Sequence, residues 1–129
     1  MDSIWKDAEI ISQYTRANAM EDGYLIDVTE TAKEAGFLYP VAVTRAVWAD
    51  YVVPDEKARQ YGQDEAGRLW DILWMLKYAI KRGGGGSTLL FEVRMVMKEK
   101  SMRVVKLKSM CHPGDTVEPV ITIMTPDED

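Results

Sequence analysis

One cysteine, one histidine and two phenylalanines are all that this 129-residue chain holds of those residue types. The lone Cys111 excludes an internal disulfide framework and any zinc cluster built on cysteines. The lone His112 forces every imidazole-based mechanism through one position. No apolar run approaches the roughly 20 residues that span a bilayer, and the opening MDSIWKDAEII is acidic, without the apolar stretch of a signal peptide. These absences lead to the expectation of a soluble, cytoplasmic protein with no membrane partner. Positive charge is also scarce: 16 Lys and Arg stand against 21 Asp and Glu, a net charge of −5. General nucleic-acid binding is not expected of such a chain, because neutralising phosphates needs a basic surface.

What is present is enough apolar residue, 47% against 29% charged, to build one core without staples. A single α+β domain over residues 1–129 is predicted. Its organising element is the helix predicted over Asp64 to Arg82. Asp64 caps it, Glu65 complements its positive end, Lys81 and Arg82 complement its negative end, and Gly83 stops it. Ala66, Leu69, Leu73, Leu76 and Ile80 recur at steps of three and four as an apolar stripe. Ile72 and Ala79 widen the stripe on one side, Trp70 and Trp74 on the other. Trp48, Trp70 and Trp74 are assigned to the core, whereas Trp5, Tyr14, Tyr24 and Tyr39 are interface candidates.

Ahead of this helix, residues 1–11 read as a loose lead-in. Thr15 and Thr29 each cap a short helix, closed by Gly23 and Gly36 respectively. Between them, residues 24–28 read as a short strand or an extended link. The stretch from Pro40 to Val53 is open between strand and helix. Its β-branched content favours a strand, but Val43, Ala46, Val47 and Asp50 follow helical spacing, and Thr44 is placed to cap a helix ending before Pro54. A short extended lead followed by that helix is the expectation. Residues 54–63 read as a polar turn or a single helical turn leading into the central helix. Gly83 to Gly86 form a flexible connector, since a phosphate-cradling loop runs from strand to helix and carries a Lys-Ser/Thr pair absent here. Beyond it the period changes to two. Phe91, Val93, Met95 and Met97 alternate with Glu92, Arg94, Val96 and Lys98; Val105 and Leu107 alternate with Lys106 and Lys108. With Pro113-Gly114-Asp115 as a second turn and a third strand over 118–124, the last third is a three-stranded antiparallel meander. Residues 125–129 are expected to fray. The predicted fold is thus a helical N-terminal two-thirds packed on a C-terminal β-meander.

Candidate chemistry is sparse. Arg68 lies between Asp64 and Asp71 on one helical stripe, which makes either a surface salt-bridge array or an anion clamp bordered by Trp48 or Trp70. Arg94, Lys98, Lys100, Arg103, Lys106 and Lys108, with Lys81 and Arg82 and against Glu92 and Glu99, make residues 81–112 basic, at a net +6, as a lysine-rich sheet face or a patch for an anionic partner. Cys111, His112 and Asp115 fall within five residues, but neighbouring strand residues point to opposite faces, so the thiol and imidazole should diverge. Asp27, Glu30, Asp50, Asp64 and Asp71 have no recognised metal spacing. No catalytic set, metal or cofactor is called for, and an enzyme is the less favoured reading.

The phrases YTRANAMEDGYLIDVTETAKEAGF, PVAVTRAVWADYV, QDEAGRLWDILWM and CHPGDTVEPVITIMTPDED, in this order, resemble an uncharacterised family of small proteins carried by bacterial plasmids and phages. The resemblance spans residues 12 to 129. It implies a setting among the accessory genes of mobile elements, and no activity. From that setting, the size and the acidity, the chain is expected to be a non-enzymatic module that binds a host protein, such as an inhibitor of a host defence system like CRISPR interference. The alternative is a small-molecule binder or small enzyme, taking a small anionic ligand in a pocket around Arg68, Asp64, Asp71 and Trp48.

Overall fold

The structure is a computed structural model, and it describes residues 14–83, 86–96 and 102–128. Expectations for residues 1–11 with Trp5, for Gly84 and Gly85, and for Met97, Lys98 and Lys100 lie outside the described residues. Eleven segments follow in order. They are α1 (Arg16–Glu21), β1 (Leu25–Asp27), α2 (Thr29–Glu34), β2 (Val41–Thr44), α3 (Arg45–Val47), a π-helical turn (Trp48–Val52), α4 (Glu56–Gln60), α5 (Glu65–Lys81), β3 (Thr88–Val96), β4 (Met102–Pro113) and β5 (Pro119–Met124). The fold is α+β, with one long helix among the described residues.

The sheet corrects the three-stranded expectation. It has five strands in the order β1-β2-β5-β4-β3. The predicted antiparallel β3-β4-β5 meander is present, and β2 joins it by pairing parallel with β5, Val41 against Ile121 and Val43 against Ile123. β1 then pairs antiparallel with β2. The Pro40–Val53 stretch is therefore strand and helix in succession, and Thr44 is the switch: its side chain accepts from Val47 N–H as the cap of α3. The helix ends in a π turn closed by Val53 N–H donating to Trp48 O, one residue before Pro54.

Both faces of the sheet centre are covered. On one side α2, the π turn and α5 enclose a core of Val41, Val43, Ile121, Ile123, Leu107, Phe91, Val93 and Met95. Ile72, Leu73 and Leu76 of α5 are fully buried there, each contributing about 1.5–3 kcal/mol of transfer free energy. The buried face of α5 is Arg68, Leu69, Ile72, Leu73 and Leu76. The stripe is thus rotated from the predicted one: Ala66 and Ile80 are exposed, and so are Trp70 and Trp74, while Trp48 is half-buried. On the other side α1 packs against β1 and is tied to β5 through Arg16, and Ala19, Ala42, Thr122 and Met124 are buried.

Thr15 caps α1 as predicted, and the structure adds a reciprocal box with Asn18. Thr29 does not cap α2. It is the first helical residue, and its hydroxyl bonds Asp27 and Val41 O, joining β1 to β2. Gly36 closes α2 with φ +99°, Gly36 N–H donating to Lys33 O and Phe37 N–H to Ala32 O. Lys77 of α5 reaches this turn and donates to Ala35 O at 2.8 Å. A Cβ on Gly36 would stand 2.5 Å from Lys77 Nζ. Gly36→Ala is expected to destabilise the fold by about 1–2 kcal/mol, from the left-handed backbone conformation, read as a lowered urea midpoint with unchanged m-value; an unchanged midpoint would contradict this account of the turn.

The C-terminal tail is docked through residue 128, against the expectation that it frays. One Glu128 carboxylate oxygen accepts from Thr44 Oγ1, Thr125 N–H and Thr125 Oγ1, and Lys108 Nζ donates to Glu128 O.

Candidate functional site

The side chains of α5 that face solvent form the most distinctive surface among the described residues. Trp70 and Trp74, one turn apart, stack with ring centroids 6.1 Å apart and an interplanar angle of 12°. Trp74 is 52% exposed. Lys77 Nζ lies 5.3 Å from the Trp74 ring centroid, so the indole is held between a stacked neighbour and a cation. A groove beside Trp70 runs between α5 and α2, lined by Thr31, Glu34, Gln63, Asp64 and Asp71. Three residues predicted from sequence, Asp64, Trp70 and Asp71, therefore meet in one place.

Their electrostatics are unbalanced. The ion pairs among the described residues are Lys33–Glu30 and Arg59–Glu65, both outside the groove. Asp64 accepts from Gly67 N–H at 2.6 Å as the helix cap, which uses one of its oxygens. Partial burial beside the helix pushes the Asp71 carboxyl above its ordinary value. A carboxyl raised in the folded state binds more protons folded than unfolded, so its ionisation opposes folding as pH rises through the carboxylate range. Asp71→Asn is expected to raise the thermal midpoint at pH 7, and to lose that advantage below the carboxylate range, where both forms are neutral. Thermal melts at the two pH values read this directly.

Arg68 does not belong to this groove, which corrects the predicted Asp64–Arg68–Asp71 array. It is 2% exposed and turns inward. Nη1 donates to Tyr51 O at 3.1 Å and Nη2 to Val96 O at 2.5 Å, with Nε 3.5 Å from Gln63 Oε1. Tyr51 O is a carbonyl left over where the π turn stops before Pro54, and Val96 O lies at the end of β3. The guanidinium fork thus ties three elements together through three of its five N–H groups. Burial lowers its pKa from the ordinary value, and Asp55 opposes that shift. Arg68 also lines a shallow cavity, together with Asp50, Asp55 and Arg103. Trp48 packs against the core and lines neither cavity.

The predicted basic face divides. Arg94, Lys106 and Lys108 share the open face of the β3–β4 ladder, where Lys106 lies opposite Glu92, whereas Arg103 lies opposite the buried Met95 on the helical side. Cys111 and His112 diverge as predicted. Cys111 packs on the helix-side core. His112 is on the far face, where Nδ1 approaches Pro113 O at 2.8 Å and Nε2 approaches Thr122 Oγ1 at 3.0 Å. A carbonyl only accepts, so Nδ1 carries the hydrogen, and in the neutral ring Nε2 accepts from the Thr122 hydroxyl. That hydroxyl accepts in turn from Arg16 Nη1 at 2.6 Å, while Arg16 Nη2 donates to Ile121 O. Asp115 accepts from Arg16 and Ala17 N–H at the start of α1.

A hydroxyl bonded to an imidazole is the arrangement that activates nucleophiles. Here the hydroxyl is buried and its hydrogen-bonding capacity is committed within the protein, so the arrangement locks α1 to the sheet. Arg16 and Thr122 have no signal in the sequence; only α1 lying across the sheet, opposite β5, brings them together. Among the described residues no three His, Cys, Asp or Glu are grouped to hold a metal ion, and no helix among them is long and apolar enough to cross a membrane.

No curated protein and no solved structure matches the chain. A family model does match, over residues 1–129, and the chain belongs to that family, a family of unknown function (DUF6573).

Proposed function

We propose that this protein is a non-enzymatic binding module that holds a partner protein in the acidic, tryptophan-bearing groove of α5. The observation that carries this reading is the stacked Trp70–Trp74 pair, held on the solvent side of a helix whose opposite face forms the core. Aromatic surface of this size gives a free protein little stability, and tryptophan is among the residues that dominate binding energies when a partner covers it. The surrounding Glu34, Asp64 and Asp71 give the groove one sign of charge. A lysine or arginine side chain of the partner satisfies both features, through the carboxylates and through the indole face.

In the mobile-element setting that the sequence phrases suggest, the partner is a host protein. The reading extends to an inhibitor of a host defence system such as CRISPR interference, its acidic groove imitating nucleic acid at a basic site. The small-molecule alternative is the less favoured, because backbone carbonyls hold two Arg68 donors and the cavity that Arg68 lines carries Asp50 and Asp55, which oppose an anion.

The test is capture of partners from a bacterial lysate on the tagged full chain, then titration of the purified partner. Trp70→Ala is expected to weaken binding by about 2 kcal/mol, a thirtyfold change in Kd, with the fold intact. Asp71→Asn should weaken binding while making the free protein more stable, a combination that a purely structural residue does not produce. Recovery of no partner in repeated captures, or a partner bound equally well by Trp70→Ala, would sink the proposal.

A further inference from the structure

The backbone of β3 carries a pattern with a consequence of its own. Cys111 N–H donates to Ser87 O at 2.7 Å, which makes residues 87 and 111 a hydrogen-bonded pair. The register then runs unbroken from Thr88 opposite Met110 to Val96 opposite Met102. Alternation along an antiparallel ladder turns the N–H and C=O groups of the odd-numbered β3 residues toward β4, and those of the even-numbered residues toward the outside. Val96 O, which receives Arg68, is one of the outward groups. Leu90, Glu92 and Arg94 hold theirs outward with no strand beside them among the described residues, since β3 ends the sheet. Among the described residues the edge is open from Thr88 to Arg94, short of the Val96 carbonyl that Arg68 holds, and that is a long template for strand pairing. Beside it α5 supplies a wall of Trp74, Met75 and Tyr78, facing Phe91, Glu92, Val93 and Arg94 across shallow cavities.

We propose that a second copy of this chain pairs with that edge, antiparallel about a twofold axis at Val93, joining two five-stranded sheets into one of ten. The sequence of β3 is self-complementary in this register. On the open face Glu92 falls opposite the partner's Arg94, and Arg94 opposite the partner's Glu92. Leu90 falls opposite the partner's Val96. On the helical face Phe91 meets the partner's Met95, and Val93 meets itself. The pairs on the open face join even-numbered residues to even-numbered residues, as the outward hydrogen-bonding groups require. Shifting the register by two residues either way sets Glu92 against Glu92 or Arg94 against Arg94, and like charges directly opposite are destabilising. The charge pattern therefore selects one register as well as permitting pairing. Glu34, Asp64 and Trp70 line the groove and not the β3 edge, but Asp71 lines both cavities and Trp74 stands beside the edge, so the two surfaces adjoin; self-association of the pure chain is read with no partner protein present.

Sedimentation velocity on the full chain reads the oligomeric state across concentration. The wild type is expected to dimerise in the micromolar range. Glu92→Arg and Arg94→Glu each replace two attractive cross-strand pairs by two repulsive ones, and each should weaken the dimer at least about tenfold. The double variant E92R/R94E restores both pairs with their signs exchanged, and should return to within about threefold of the wild type. Circular dichroism checks that each variant is folded. A wild type that stays monomeric at about 100 μM, a dimer indifferent to both single reversals, or a double variant no tighter than the singles would each overturn the proposal. The wild-type measurement decides the matter even if a reversal were to unfold the chain.

Discussion

Arg68→Ala is expected to lower the unfolding free energy by about 3 kcal/mol, because it strips the donors from two carbonyls whose unsatisfied burial costs about 1–3 kcal/mol each. The thermal midpoint should fall by roughly 10 °C for a domain of this size. The loss has a structural direction. Tyr51 O is at the end of the π turn and Val96 O at the end of β3, 17 and 28 residues from Arg68 in the chain. Removing the guanidinium separates the one long helix from both. Arg68→Lys keeps the charge but not the planar fork, so it should recover less than half of the loss. Urea denaturation of the three proteins is the measurement. An Arg68→Ala protein as stable as the wild type, but unable to bind a ligand, would restore the anion-clamp role that the geometry disfavours.

Thr122→Val carries the second largest effect, expected at about 2 kcal/mol, since it removes a buried hydroxyl that serves two other groups. Thr122 is 5% exposed and central to the sheet. Without its hydroxyl, Arg16 Nη1 loses its acceptor and His112 Nε2 loses its donor. Arg16 is already a half-buried cation whose pKa desolvation lowers, with Asp27 and Asp115 opposing the shift. Valine has nearly the same shape, so the cost is polar and not steric. Thr122→Ser retains the hydroxyl and should stay within about 1 kcal/mol of the wild type. The distinguishing readout is hydrogen exchange of α1, which should lose protection before the α5 core does. Uniform loss across both would mean that Thr122 supports the whole sheet instead of the docking of α1.

The helix caps and stops, Thr29 excepted, were legible because they are local. Thr15, Asp64, Gly23 and Gly36 act on backbone groups within a few residues, and the structure uses each as the chain order indicates. The β3-β4-β5 meander was legible for a related reason. β3 and β4 are covered on one face, so their residues alternate, and the alternation can be counted. β2 and β5 are covered on both faces, and a strand buried on both sides loses its alternation. Val41-Ala42-Val43 is too short an apolar run to distinguish strand from helix. Its pairing with β5 joins residues 80 positions apart in the chain, which no local pattern encodes.

The candidate site divides along the same line. Asp64 and Asp71 were found from helical spacing because they do lie on the outer side of one helix, whereas Trp70, assigned by the same spacing to the core, is exposed beside them. Arg68 shares their stripe by periodicity, and a long flexible side chain at that position can turn either way. The sequence by itself determined the class of fold, the central helix with its ends, the meander and the family. Tertiary structure alone decided that Arg68 turns inward, that Trp70 and Trp74 turn outward, and that β2 enters the sheet beside β5. The physical reason is one of range: caps and periodicity act over a turn or a pleat, whereas the direction of a side chain is set by acceptors and apolar surface contributed from far along the chain.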